Sequence, residues 1–312
     1  MLRTWRLSPN GSSSQLLDPI RLGEPLEQSV PVTPRCFAIV DHVILAAGFC
    51  DHSIRCFSAD TGALLQSVYG HSDVVLCIST SPCGRYLAAG SRDSTVSVWS
   101  ISGRGVAGGW RGSSSGIIPG TTSTGIFSSN TFSESVGAPA GYLLAPQPQA
   151  VLVGHIHDVV CVSVNGACDT VVSVSYDSVL LHTLSGDFVR SIRHTYKRPF
   201  LASIGSAGNV VVYYSDKNAM ALAHFTINGR LLCEMALGEM LMDMLLTRDG
   251  EHVVTGGTSR TAVCRRLRDL DIVASFSCSA TIRCIAEGEH ATLFLGLASG
   301  EVIRRQLLFH LG

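Results

Sequence analysis

The residues best suited to chemistry are His71, Ser91 and Asp93, which stand close to Trp99. A Ser-His-Asp set can activate a nucleophile, but such sets are defined by geometry rather than composition. Gly103-Arg104-Gly105-Val106-Ala107-Gly108 fits a dinucleotide-binding loop. That reading requires a helix to follow and an acid further on, and no acid occurs before Glu134. Gly112-Ser113-Ser114-Ser115-Gly116 fits a nucleophile elbow without the strand–turn–helix that strains one into place. His155 and His157 form a His-x-His, yet spacing places no third metal ligand. The 11 cysteines contain no Cys-x-x-Cys; Cys50 and Cys56, Cys77 and Cys83, and Cys278 and Cys284 are too far apart for a zinc knuckle. They read as reduced core cysteines of a cytoplasmic protein. No catalytic, metal or cofactor residue is assigned, and the expectation is a protein that is not an enzyme and needs no cofactor.

The elements that position these residues repeat with a period of about 40 residues. The clearest copy begins at Gly70-His71 and continues through Val74 to Ile78. The turn Ser81-Pro82-Cys83-Gly84-Arg85 then leads into Tyr86 to Asp93 and Ser94 to Trp99. Each apolar run has strand length and each break carries turn residues. Gly48 to Phe57 aligns with Gly90 to Trp99 without a gap, and Gly154-His155 repeats Gly70-His71. Val174-Ser175-Tyr176-Asp177 repeats Gly90-Ser91-Arg92-Asp93, and weaker copies lie at Gly205 to Tyr214, Thr255 to Arg265 and Leu295 to Arg305. Leu237 to Leu246 has helix-like composition, but Thr247-Arg248-Asp249-Gly250 follows as a turn, so a strand is expected. Four-stranded units cannot cover their own apolar faces and bury one another when stacked radially. The fold class is therefore all-β, a β-propeller with about six recognisable blades.

The best unit resembles the WD40 family. That resemblance implies a buried chain in which Asp93 fixes the His71 imidazole and the Ser91 hydroxyl links the imidazole to the Trp99 indole. Phe57, Tyr213, Arg265 and Arg305 are expected at the Trp position of other units. Residues just before the turn Asp point to one rim in that family; here these are Cys50, Arg92 and Tyr176, and Arg92 and Tyr176 are the candidate partner-binding residues.

Composition agrees with a binding scaffold. Apolar residues make up 46% of the 312 residues and charged ones 15%, and the net charge is -1. That balance gives no electrostatic reason for nucleic acid as a partner. No run of about 18 apolar residues suggests a membrane span, and Met-Leu-Arg-Thr-Trp-Arg is no signal peptide. The arginines Arg265, Arg266, Arg268, Arg304 and Arg305 offer attraction to an anionic membrane or, as the plainer alternative, a solvated face.

Four segments divide the chain. Residues 1–32 form an N-terminal segment in which Thr4-Trp5-Arg6-Leu7 closes a blade begun upstream. Residues 33–101 hold the first two blades. Residues 102–150 form a flexible insertion, with 15 Gly or Ser among the 29 residues from Ser102 to Asn130. Residues 151–312 hold the remaining blades.

The order of several pieces is similar to the C-terminal propeller of neurobeachin-like BEACH proteins. These pieces are Thr33-Pro34-Arg35-Cys36-Phe37-Ala38, Asp60-Thr61-Gly62, Gly186-Asp187-Phe188, Phe225-Thr226-Ile227-Asn228-Gly229-Arg230-Leu231 and Leu297-Ala298-Ser299-Gly300. The resemblance implies a cytoplasmic scaffold in vesicle trafficking or membrane-protein sorting. It implies seven blades in the complete protein, an upstream BEACH domain, protein partners on the propeller faces, and peripheral contact with endomembranes. The alternatives are a WD40 adaptor in another complex, such as a substrate receptor for ubiquitin ligation, and a propeller-fold hydrolase.

Overall fold

The computed structural model describes residues 5–7, 14–16, 34–103, 142–195, 198–216, 219–288 and 291–307. The dinucleotide-loop and elbow motifs at 103–116 lie almost wholly outside them, as does most of the expected insertion. Strand β1 (Trp5–Leu7) pairs with β2 (Ser14–Leu16) in a two-stranded sheet of its own, rather than with a strand of a blade.

Among the described residues, six antiparallel sheets follow. Blade one holds β3 (Phe37–Val40), β4 (Val43–Ala46), β5 (Ile54–Ser58) and β6 (Leu64–Val68). Blade two holds β7 (Val75–Thr80), β8 (Tyr86–Ser91) and β9 (Val96–Gly103), with β10 (Tyr142–Leu144) and β11 (Ala150–Leu152) both paired to β9. Its outer edge thus comes from beyond residue 101, where the sequence boundary was drawn. Blade three holds β12 (Val159–Asn165), β13 (Thr170–Ser175), β14 (Val179–Thr183) and β15 (Phe188–Ile192). Blade four holds β16 (Pro199–Ile204), β17 (Asn209–Asp216), β18 (Ala219–Thr226) and β19 (Leu231–Leu237). Blade five holds β20 (Leu241–Leu246), β21 (His252–Gly257), β22 (Thr261–Arg266) and β23 (Ile272–Ser277). Blade six holds β24 (Ile282–Glu287), β25 (Thr292–Leu297) and β26 (Val302–Gln306). The stretch Leu237 to Leu246, expected as one strand, is divided: Leu237 ends β19, residues 238–240 turn the chain, and only Leu241–Leu246 forms β20.

The first strand of each blade packs on the first strand of the next, in the order β3, β7, β12, β16, β20, β24. The apolar clusters cross these seams. Leu45, Cys56, Val75, Leu87 and Trp99 pack between blades one and two, and Val98, Leu152, Val159 and Val171 between two and three. A larger cluster joins blades three to five through Val174, Leu201, Tyr213, Leu222 and Leu241, and Val254, Cys264, Ile282 and Leu295 join five to six. Each fully buried aliphatic side chain contributes about 1.5–3 kcal/mol, so the blades stabilise one another rather than themselves.

Side chains on the inner strands add a directional stitch. The thiols of Cys36, Cys77 and Cys161 each donate to a carbonyl of the next blade: Leu76 at 3.3 Å, Val159 at 3.6 Å and Ala202 at 3.6 Å. The Ser203 hydroxyl accepts from Leu246 N–H at 3.4 Å, and the Asp243 carboxylate accepts from Ile285 N–H at 2.7 Å. The core-cysteine expectation holds for Cys36, Cys56, Cys77, Cys161 and Cys264, whereas Cys50 and Cys83 are exposed.

Candidate functional site

The turn between β8 and β9 gathers the residues singled out in blade two. His71 Nδ1 lies 3.0 Å from Asp93 Oδ2, and the imidazole is fully enclosed. Asp93 also accepts from Ser72 N–H at 2.9 Å, Thr95 N–H at 2.9 Å and the Thr95 hydroxyl at 2.6 Å. Burial works to raise the Asp93 carboxyl, but these donors and His71 hold it below its ordinary value. Burial lowers the His71 imidazole, against the pull of Asp93.

The link on the far side of the imidazole differs from expectation. His71 Nε2 bonds the hydroxyl of Ser97, not of Ser91. Ser91 Oγ instead lies 3.0 Å from the carbonyls of Asp73 and Val74 and accepts from Asp93 N–H at 3.1 Å, so it pins the turn. Strand periodicity explains the exchange. Ser97 and Trp99 are two residues apart on β9 and share a face, whereas Ser91 ends β8. Trp99 is completely buried, with its ring edge-on to His71 at 6.0 Å and 61°. No described residue accepts from its indole N–H, so packing rather than a hydrogen bond seats it.

Other blades vary this theme. In blade three, His155 is held between Ser178 at 2.9 Å and Ser173 at 2.8 Å, and burial pulls its pKa down to about 4. Both ring nitrogens of His155 are thus engaged by serines. The expectation for Tyr213 is corrected by strand register. Gly90 and Tyr213 are equivalent beside a bulge, and their partners on the next strand are Val96 and Leu222. Three residues beyond these partners stand Trp99 and Phe225, so Phe225 holds the Trp position and Tyr213 lies on β17. The same register puts His182 there in blade three, Arg265 in blade five and Arg305 in blade six. His194, which carries no Gly-His signal, packs edge-on to Phe225 at 5.6 Å and bonds Glu234 at 2.8 Å. Its place two residues beyond the end of β15 was the available clue.

The arginine cluster is split between buried, paired and exposed positions. Arg265 is buried and donates to the Leu270 carbonyl at 3.2 Å, and burial lowers its pKa against the opposing field of Glu239. Arg266 and Arg268 both pair with Asp269, at 3.1 and 3.3 Å. Arg304 and Arg305 remain exposed.

The rim candidates are brought onto neighbouring blades. Arg92 stands in the β8–β9 turn and Tyr176 in the β13–β14 turn, 47% exposed. The loop from β11 to β12 joins both turns, because Asp158 lies 3.9 Å from Arg92 and His155 bonds Ser178. At the crest of that loop Ile156 is 73% exposed. Sequence reasoning missed Ile156; its signal was the position directly after Gly154-His155. Cys50 occupies the equivalent turn of blade one and is exposed. A cation, an aliphatic and a phenol on one rigid rim can engage a protein surface, since such anchors lose little entropy on docking. Among the described residues, no helix is long and apolar enough to cross a membrane.

The profile of the neurobeachin β-propeller domain matches residues 121–304, and that of the WD-domain G-β repeat matches 62–100. BEACH domain-containing protein B of Arabidopsis thaliana is 26% identical over 273 residues, covering 86% of this chain and 10% of that protein. A putative neurobeachin homolog of Caenorhabditis briggsae is 28% identical over 291 residues, covering 90% and 10%. BEACH domain-containing protein lvsE of Dictyostelium discoideum is 24% identical over 297 residues, covering 89% and 12%. The chain thus spans about a tenth of the length of the curated relatives it matches.

Proposed function

Because the chain belongs to the neurobeachin β-propeller family, we propose that it is a non-catalytic scaffold that captures proteins on the rim formed by Arg92, Ile156 and Tyr176. Its working context is vesicle trafficking or membrane-protein sorting, as part of a BEACH-type protein in the cytoplasm. The observation that carries this reading is the display of exposed contact residues from adjacent blades on turns fixed by buried hydrogen bonds. The His71 set serves that display: its imidazole is enclosed and its serine partner is committed to it, so it has no nucleophile to offer. With Arg265 buried and Arg266 and Arg268 sharing Asp269, contact with endomembranes is assigned to bound partners.

The test is affinity capture from cells with the wild-type chain and an Arg92→Ala/Tyr176→Ala variant, quantified against each other. Loss of endomembrane-associated partners with an unchanged melting temperature supports the proposal. Retention of the same partners at the same ratio overturns the rim assignment, and recovery of ubiquitin-ligase subunits in their place overturns the trafficking context.

A further inference from the structure

In five blades the inner strand carries an extra residue near its start. The register steps over Leu76, Val160, Phe200, Met242 and Arg283. Such bulges bend a strand and re-aim a side chain. Arg35 stands at the matching point of blade one, directly before Cys36 in the short 3-10 turn Pro34–Cys36. Its guanidinium donates to the Val160 carbonyl at 3.3 Å and the Met242 carbonyl at 3.0 Å, and it lies 4.9 Å from the centre of the Phe200 ring. Those are the bulge residues of blades three, five and four. A blade-one residue that touches all three reaches across the centre of the ring.

Next to Met242 is Asp243. Its carboxylate accepts from Met244 N–H at 3.0 Å within blade five and from Ile285 N–H at 2.7 Å in blade six. Arg35 and Asp243 form no direct ion pair among the described residues, so the two charges act on each other through space.

We propose that Arg35 and Asp243 form an electrostatic clamp across the channel, which holds blades one and three to six together and makes the ring responsive to mild acid. Arg35 supplies the cation that compensates a carboxylate surrounded by protein, and the fork geometry of its guanidinium lets it bond two carbonyls at once. Burial pushes the Asp243 carboxyl up to about 6, against the opposing field of Arg35. The thiols that feel this site are Cys161 on β12, which senses Arg35 and, less, Asp243; Cys284 on β24, which senses Asp243; and Cys77 on β7, which senses Arg35. Burial raises all three, so they stay neutral and do not compete.

The sign follows from linkage. An acid whose folded value is raised makes the folded chain bind more protons than the unfolded one between its two values. Its contribution therefore favours folding as pH falls from about 6 towards 4. At neutral pH the ionised carboxylate is a cost, and Arg35 reduces it.

The experiment compares Arg35→Met, Asp243→Asn and the double variant by melting temperature at about pH 7.5 and about pH 5. Arg35→Met loses its carbonyl bonds at either pH but loses charge compensation only where Asp243 is ionised. A larger drop at the higher pH, which becomes equal at both pH values in the Asp243→Asn background, supports the clamp. An equal drop in both conditions, or a pH-dependent drop that persists in the Asp243→Asn background, overturns it. If Arg35→Met does not fold, Arg35→Lys keeps the charge and loses the fork. Its drop should be the same at both pH values, and a drop confined to the higher pH would overturn the electrostatic role.

Discussion

Replacing Asp93 with alanine tests the buried network of blade two. The carboxylate holds five donors: His71, and the N–H and hydroxyl groups of both Ser72 and Thr95. Ser72 and Thr95 lie near solvent and can turn to water, but the His71 side chain is fully enclosed. Without Asp93 the enclosed Nδ1 keeps only the Thr95 hydroxyl, 3.2 Å away, and weakening the pairing of a buried nitrogen costs up to about 1–3 kcal/mol. Releasing the two turn amides resembles losing a cap and costs about 1 kcal/mol more. A total of about 2–4 kcal/mol is expected. Urea denaturation followed by tryptophan fluorescence measures it, with the slope unchanged so that the midpoint reports stability. Ser97→Ala should cost about 1–3 kcal/mol for the same reason at Nε2, and Ser91→Ala should cost less than Ser97→Ala. An Asp93→Ala loss under about 0.5 kcal/mol would refute the argument from the enclosed imidazole. A Ser91→Ala variant less stable than Ser97→Ala would mean that the network runs through the other serine.

Two further outcomes follow from local structure. His155 is a base whose value is lowered to about 4, so between its ordinary value and that one the unfolded chain binds the extra proton and stability falls as pH falls. His155→Gln should flatten this decline in a pH series of melting temperatures, and an undiminished slope would show that His155 is not its source. At Gly257 an added Cβ would meet the Met240 carbonyl and come within 2.9 Å of Leu241 Cα, whereas nothing lies within 4 Å of one at Gly238. Gly257→Ala should therefore destabilise by about 1–3 kcal/mol or more, while Gly238→Ala should leave the denaturation midpoint nearly unchanged.

The all-β ring was legible because the blade-two repeat from Gly70 to Trp99 is nearly complete and its strands are separated by strong turn residues. His71, Asp93 and Trp99 lie together in the structure. Ser97 was not legible, because only the alternation of β9 reveals which hydroxyl shares the Trp99 face. Blade four is deceptive in sequence. It lacks a Ser-x-Asp turn, so the Gly205 turn before β17 resembles the turn before the third strand and shifts Tyr213 onto the wrong strand. Arg35 gave no local signal, since its acceptors are 125 and 207 residues away and converge only when the blades stack. The arginines at 265–268 looked like a basic patch because sequence does not show that Arg265 points inward and that Asp269 serves its two neighbours.

Strands β9 and β10 meet at the two ends of the stretch 104–141. Gly103 pairs with Tyr142, and the Gln66 side chain grips both backbone groups of Leu144, at 2.8 and 3.0 Å. The chain therefore departs and re-enters at adjoining points that blades one and two fasten on their own. Closing a longer excursion between fixed ends adds only about 0.6 kcal/mol per doubling of length. The blade is in effect a socket with its own latch, into which a longer sequence, a reporter domain included, can be spliced without disturbing the ring.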